Sequence, residues 1–362
     1  MSTPTDTTWQ IDPHTSAKHE ILRRYLGAWF PIIGAHNKRV VYIDGFCGPG
    51  RYRDGETGSP LIALEAASQN IKRLEGVGVT FLFTDEDADR IEYLKAELSK
   101  TPIPAAFEVD AVTGTFEEVL RDLLDHLTKL HISLAPTFAF IDPFGFKGAP
   151  FELVARLLKN PKTEVLINIM VDSINRFVEH PDEKTRRHIV ELFGTGNVQA
   201  ISSGTPDRIT KLRLLYQEQL SRVARFVRYF EMRDHHGRII YFLFFASNHP
   251  LGHTRMKEAF WKVDPSSGLA FSDATNPSQP ILFEIDHTPA VATLMQSEFS
   301  GQRVTVGKVQ KFIEEKSPYI ARHMRAALKL LEESDNIHVQ GFKGDGTKRR
   351  KKVFSEDVII EF

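Results

Sequence analysis

The chain has 362 residues, 41% hydrophobic, 26% charged and 10% aromatic, with 46 Lys or Arg against 47 Asp or Glu and a formal net charge of −1. This composition excludes a disordered, collagen-like or disulfide-stapled chain, and the length predicts one large domain with a smaller companion. The single cysteine, Cys47, excludes an internal disulfide and a thiolate zinc cluster. It points to a reducing compartment, and with no 18-residue apolar run and no basic-then-apolar leader the expected location is the cytoplasm.

Residues 1–17 are polar and read as a flexible tail. From 18 to 33, Ile21, Leu22, Tyr25, Leu26, Trp29 and Ile33 recur at helical spacing. A β-branched and aromatic run, Val40 to Ile43, then enters the turn string Asp44, Gly45, Phe46, Cys47, Gly48, Pro49, Gly50, which predicts a buried strand feeding a glycine-rich loop that opens a helix. Further strands are expected at 79–84, 106–109, 137–141 and 165–167, each closing near an acid or amide: Asp85, Asp110, Asp142 and Asn168. Helical patterns at 60–74, 88–98, 116–130 and 151–158 alternate with them. Such alternation predicts an α/β fold with a parallel, doubly wound sheet. Residues 172–204 read as an insertion, 205–227 as a helix, and 225–233 with 238–246 as a hairpin adding an antiparallel edge. A Ser- and Pro-rich stretch at 264–280 reads as a linker, with the boundary near 285, so the expected domains are 18–284 and 285–362.

The glycine loop narrows the choice of ligand. Gly45 to Gly50 has the gap of a phosphate loop, but Arg51 and Tyr52 follow where Lys and Ser or Thr are needed. The dinucleotide spacing Gly-x-Gly-x-x-Gly is absent, since the glycines fall at 45, 48 and 50. An acid at the strand end followed by closely spaced glycines suits S-adenosyl-L-methionine: Asp44 meets its ammonium, and Gly45, Phe46, Gly48 and Gly50 let the backbone approach it. Asp85, or its neighbour Glu86, is placed for the ribose hydroxyls, and Asp110 for the adenine amino group.

Asp142, Pro143, Phe144 and Gly145 follow the fourth strand and are similar to the Asp/Asn-Pro-Pro-Tyr/Phe motif of enzymes that methylate amino groups of nucleic-acid bases. An exocyclic amine is a poor nucleophile because its lone pair is delocalised. Hydrogen bonds to Asp142 and the Pro143 carbonyl would localise that pair, with Phe144 or Phe146 stacking on a flipped base. Phe144 and Gly145 stand where the motif has its second Pro and its aromatic residue. Taken together, the strings Tyr42 to Gly50, Gly58 to Leu61, Ile141 to Gly145, Asn168 and Tyr241 to Ser247 resemble the three-Cys-motif partner family. The resemblance covers about 18–265 and implies a Rossmann-like, class I methyltransferase-like core, adenosylmethionine as cofactor, a three-Cys-motif protein as partner, and no fixed acceptor. Gly50, Arg51 and Tyr52 also look like a stretch of a ribosomal-RNA adenine-N6 methyltransferase family. Arg51, Arg53 and Lys147 flank the cleft, where they could hold substrate phosphates or be ordinary surface charges.

Charge is segregated near the C-terminus, where residues 303–352 carry 13 Lys or Arg and 6 Asp or Glu, a local +7. Helices at 305–315 and 319–333, a strand at 337–340, a tip at 341–347 and a return strand around Val353 and Phe354 predict a winged helix-turn-helix, a domain the resemblance also implies. Arg322, His323, Arg325 and Lys329 on the second helix, and Lys343, Lys348, Arg349, Arg350, Lys351 and Lys352 on the wing, would face DNA or RNA phosphates. The same charges suit a solvated face or an acidic protein partner. No metal site is expected, because His235 and His236 lack companions at ligand spacing. The readings left open are a nucleic-acid methyltransferase, a non-catalytic methyltransferase-like partner, and a nuclease or defence component.

Overall fold

The computed structural model describes residues 6–202, 204–275, 285–342 and 344–362. Two compact units divide the chain, the first Met1–Val263 with Leu269–Asn276, the second Asp264–Gly268 with Pro277–Phe362. Lys343 and residues 276–284, in the expected linker region, lie outside the described residues.

In the first unit the strands are β1 (Arg39–Asp44), β2 (Gly78–Asp85), β3 (Phe107–Thr113), β4 (Thr137–Ile141), β5 (Thr163–Ile169), β6 (Phe226–Arg233), β7 (Ile239–Ser247) and β8 (Ala270–Ser272). Their order in the sheet is β3-β2-β1-β4-β5-β7-β6-β8, with β1 to β5 parallel and β7 antiparallel to both β5 and β6. This is a doubly wound, Rossmann-like sheet. The expected antiparallel hairpin forms, but not as a simple edge. β7 is inserted between β5 and β6, because its run from Ile240 to Ala246 is apolar on both faces and is buried throughout.

Neighbouring residues on the central strands point to opposite faces and feed separate cores. Tyr42, Phe138 and Leu166 pack under α1 (Pro13–Gly34), α2 (Ser59–Gln69), α3 (Ala88–Lys100) and α9 (Pro250–Val263). Ile43, Ala139 and Ile167 pack under α4 (Phe116–Lys129), α5 (Phe151–Leu158), α6 (Val171–Phe177), α7 (Glu183–Phe193) and α8 (Arg208–Ser221). The stretch read as an insertion supplies α6 and α7 of this second layer. Polar side chains start several helices: Asp87 accepts from Asp89 and Arg90 backbone N–H groups at α3, and Thr115 with Glu118 forms a capping box at α4.

Three expectations change. Helix α1 begins at Pro13, whose ring is preorganised for a first turn, so the segment read as a tail contributes a helical turn. Helix α2 starts nine residues after Gly50, beyond a small hairpin bridged at Arg51 and Thr57, so the glycine loop does not open directly into it. Strand β3 runs on to Thr113, and it is Thr113, not Asp110, that lies level with Asp85.

The second unit consists of α10 (Thr288–Phe299), β9 (Arg303–Thr305), α11 (Val306–Lys316), α12 (Ala321–Glu333), β10 (His338–Val339) and β11 (Ile359–Glu361). Its strands pair antiparallel in the order β10-β11-β9. Val291, Met295, Val309, Ile313, Met324, Leu328 and Ile360 form its core. Thr305 caps α11 by accepting from the Lys308 N–H at 3.2 Å. The return strand is β11, not the run around Val353 and Phe354. An earlier bridge, Phe342 to Lys348, closes the hairpin tip, and Phe354 is buried.

Candidate active site

The site is assembled at the carboxyl ends of β1, β2, β4 and β5, where an open α/β sheet leaves a crevice. Asp44 closes β1 and is fully buried. Loss of hydration raises its carboxyl to about 7, against hydrogen bonds from Ser59 and the Phe46 N–H that favour the ionised form. Asp85 closes β2. Its Oδ2 accepts from the Gly48 N–H and its Oδ1 from the Asp87 N–H, both at 3.0 Å, and Arg90 stands 3.8 Å away. The β2 acid therefore holds the glycine loop in shape. The loop glycines also serve packing. A Cβ on Gly45 would strike the Phe116 ring at 2.4 Å, and one on Gly50, where φ is +78°, would meet Leu94 at 2.5 Å.

Asp142 follows β4. Its Oδ1 accepts from Asn168 Nδ2 at 2.7 Å, and its Oδ2 is paired with the Lys18 ammonium. Lys18 comes from α1, is only 4% exposed, and lies 5.2 Å from the centroid of the Tyr241 ring. Its neighbour His19 is buried. Burial first, and the Lys18 charge next, hold its imidazole down at about 3, so it is neutral near pH 7. Two buried atoms, Asn168 Oδ1 and His19 Nδ1, have no hydrogen-bond partner among the described residues. The first is a spare acceptor beside Asp142. His19, Phe46, Gly48, Gly50, Tyr52, Ser59, Asp142 and Phe144 line one pocket, together with Trp9 from the N-terminal segment.

The residues expected at this site separate into two sets. Asp44, Gly45, Phe46, Gly48, Gly50, Asp85, Asp142, Pro143 and Phe144 are brought to the carboxyl ends of the strands. Phe144 is 40% exposed, whereas Phe146 is buried against Phe177, so only Phe144 is presented for stacking. Asp110 is not at the site. It is an exposed residue in the middle of edge strand β3, three positions short of the strand's end. Arg51 is spent internally: its Nε donates to Glu97 at 2.7 Å and its Nη1 to the Gly55 carbonyl at 2.8 Å. Lys18 and His19 escaped the sequence reading, although Lys18 stands at i with Ile21, Leu22 and Tyr25 at i+3, i+4 and i+7. A lysine in an apolar helical stripe was the available signal.

No model of a known protein family matches the chain, and no curated protein matches it. Solved structures do resemble it. A Legionella pneumophila protein of the DUF519 family is 11% identical, with a TM-score of 0.37 over 66% of this chain and 85% of that one. Human methyltransferase-like protein 13, in complex with SAH, is 9% identical, with a TM-score of 0.36 over 74% and 96%. A putative O-methyltransferase from Klebsiella pneumoniae is 14% identical, with a TM-score of 0.33 over 66% and 92%. The Rossmann-like character of the sheet rests on its own strand order and register, not on these likenesses.

In the second unit Arg322, Arg325 and Lys329 are exposed on α12, and Lys348, Arg350 and Lys351 are exposed on the hairpin. Arg349 departs from the expectation. Its side chain is buried and its guanidinium is paired with Glu332 of α12, which also accepts the Lys352 N–H at 3.0 Å. This pair ties the hairpin to the helix. Among the described residues no helix is long and apolar enough to cross a membrane, and no group of three or more His, Cys, Asp or Glu could hold a metal ion.

Proposed function

We propose that the first unit is an S-adenosyl-L-methionine-dependent methyltransferase whose acceptor is an amino group of a nucleic-acid base. One observation carries this reading: the glycine loop after β1, from Phe46 to Gly50, and Asp142 with Phe144 from the turn after β4 line the same pocket. The donor set suits the cofactor, with a buried carboxylate at Asp44 for an ammonium and loop backbone beside it; the space suits it only once Trp9 moves. Adenosylmethionine, when bound, supplies an electrophilic methyl group on a sulfonium. The chain's own residues then position the acceptor. Asp142 retains lone pairs beyond those used by Lys18 and Asn168, and Asn168 Oδ1 is unspent. Two acceptors side by side match the two N–H bonds of an exocyclic amine and would draw its lone pair out of the ring. Lys18 balances the carboxylate charge beside the Tyr241 ring.

The second unit is read as a winged helix-turn-helix that grips nucleic acid. Arg322, Arg325 and Lys329 lie three and four residues apart on one exposed side of α12, and the hairpin adds Lys348, Arg350 and Lys351 with Phe342, 55% exposed, beside them. Association with a three-Cys-motif protein, implied by the resemblance, belongs to the same proposal. A non-catalytic role is favoured by one fact, that both Asp142 oxygens are already engaged. Calorimetric titration with adenosylmethionine tests the cofactor: wild type binds and Asp44→Ala does not. Transfer of a tritiated methyl group to total RNA or DNA, lost in Asp142→Ala, then separates enzyme from scaffold. Cofactor binding with no transfer to either nucleic acid would leave the scaffold.

A further inference from the structure

Trp9 lies where a ligand of the glycine loop would have to lie. Its indole packs edge-on against Tyr52, at 5.6 Å between centroids and 84°, and against Phe144, at 5.9 Å and 74°. The Arg90 guanidinium stands 5.0 Å from the indole centroid, and a Cβ on Gly48 would sit 3.6 Å from the indole edge. Gly48 and Arg90 are two of the residues that approach Asp85, so the indole reaches from beside the β2 acid to the β4 turn. With the ring in place only about 30 Å³ remains. That is an order of magnitude below the roughly 300 Å³ at which ordinary small-ligand sites begin.

The segment that carries the indole is held by polar contacts at the surface. Arg53 Nη2 pairs with Asp6 at 2.9 Å, the Arg53 backbone N–H donates to the Trp9 carbonyl at 2.9 Å, and Gln10 Nε2 donates to Asp54 at 2.9 Å. Exposed pairs of this kind hold weakly, so the segment can leave without disturbing either core.

We propose that Tyr52, Phe144 and Arg90 form a ring-binding site for the adenine of adenosylmethionine, that the Trp9 indole competes for it, and that residues 6–12 withdraw to admit the cofactor. The proposal rests on the cofactor reading above. Two aromatic rings and a guanidinium suit a flat heterocycle, and adenine is one of about the size of indole. A resident competitor lowers apparent affinity by the fraction of molecules in which the site is open, so removing it tightens binding with no new contact.

The test is calorimetric titration of the full chain with adenosylhomocysteine, in wild type, Trp9→Ala and Arg53→Ala. The last variant loosens the segment while leaving the ring site intact. Acrylamide quenching of tryptophan emission runs in parallel. Trp29 and Trp261 are buried, at 3% and 2% exposure, so an increase in quenching reports Trp9. Expected results are about fivefold or greater tightening in Trp9→Ala, tightening of about two- to fivefold in Arg53→Ala, and greater quenching of wild type on binding. Unchanged or weaker binding in both variants overturns the proposal while the cofactor reading stands. If Trp9→Ala instead tightens only the binding of a single-stranded oligonucleotide at saturating adenosylhomocysteine, the ring is that of a flipped base and the assignment to adenine falls. No binding by any of the three proteins overturns the cofactor reading and this inference together.

Discussion

Lys18→Met and Asp142→Asn probe the buried ion pair that the site is built around. Lys18 has 6% of its side chain exposed and Asp142 19%; Asp142 keeps a second hydrogen-bond partner in Asn168, whereas Lys18 keeps the face of the Tyr241 ring. Breaking a buried pair typically costs about 3–5 kcal/mol, because the surviving charge is stranded away from water. Asp142→Asn strands the more deeply buried ammonium and should cost about 3 kcal/mol. Lys18→Met leaves a carboxylate with some solvent and an amide donor, so about 2 kcal/mol is expected. The double variant strands neither charge and should fall within about 1 kcal/mol of wild type. In a unit of this size 1 kcal/mol moves Tm by about 2–4 °C, so the single variants should melt roughly 4–12 °C lower. All three tryptophans, Trp9, Trp29 and Trp261, belong to the first unit, so urea unfolding followed by their fluorescence reports that unit alone. Additive losses, with the double variant less stable than either single one, would refute the claim that the pair neutralises itself in a dry site.

The pH dependence has two opposing parts. His19 falls from 6.5 to about 3 on folding, so its stabilising effect is present above pH 6.5 and fades as pH drops. His19→Gln should therefore lose about 2 kcal/mol less than wild type between pH 7 and pH 5 in urea titrations. Asp44, raised from 3.8 to about 7, acts with the opposite sign: protonation below pH 7 favours the folded state, so Asp44→Asn should be more acid-sensitive than wild type by a similar amount over that interval. Gly50→Ala combines a left-handed backbone with a Cβ 2.5 Å from Leu94, and should lower the first unit's stability by about 2 kcal/mol in the same fluorescence assay. In the second unit Arg349→Ala leaves Glu332 buried without its guanidinium and should speed hydrogen exchange throughout α12. Gln at Lys348, Arg350 and Lys351 should leave that exchange unchanged but lower the slope of log affinity for duplex DNA against log salt by about 2 to 3.

Much of the larger unit was legible along the chain. Period-2 and period-3.6 patterns mark β1 to β7 and most of the helices. The acids that close β1 and β2 and the one just after β4 can be named in advance because parallel strands deliver their carboxyl ends to the same edge of the sheet. Pairing register was not legible. Asp110 looks like a strand end by local pattern, but the β2–β3 ladder continues through Thr113 and leaves Asp110 in mid-strand on the surface. Burial direction was not legible for the basic run either: Arg349 is one of five consecutive cations, yet the hairpin turns it inward onto Glu332 while Lys348 and Arg350 remain outside.

The sequence by itself determined the alternating order of strands and helices, the acid-and-glycine loop after β1 and the +7 charge of the C-terminal region. These are local properties, written in spacing and composition. Only the tertiary structure decided that Lys18, 124 residues away in sequence, balances Asp142, that Asn168 holds the other oxygen, and that Trp9 lines the same pocket as Asp142. Such contacts depend on which helix face and which strand end meet across the sheet. Periodicity along one segment sets that segment's own face, and only packing sets what the face meets.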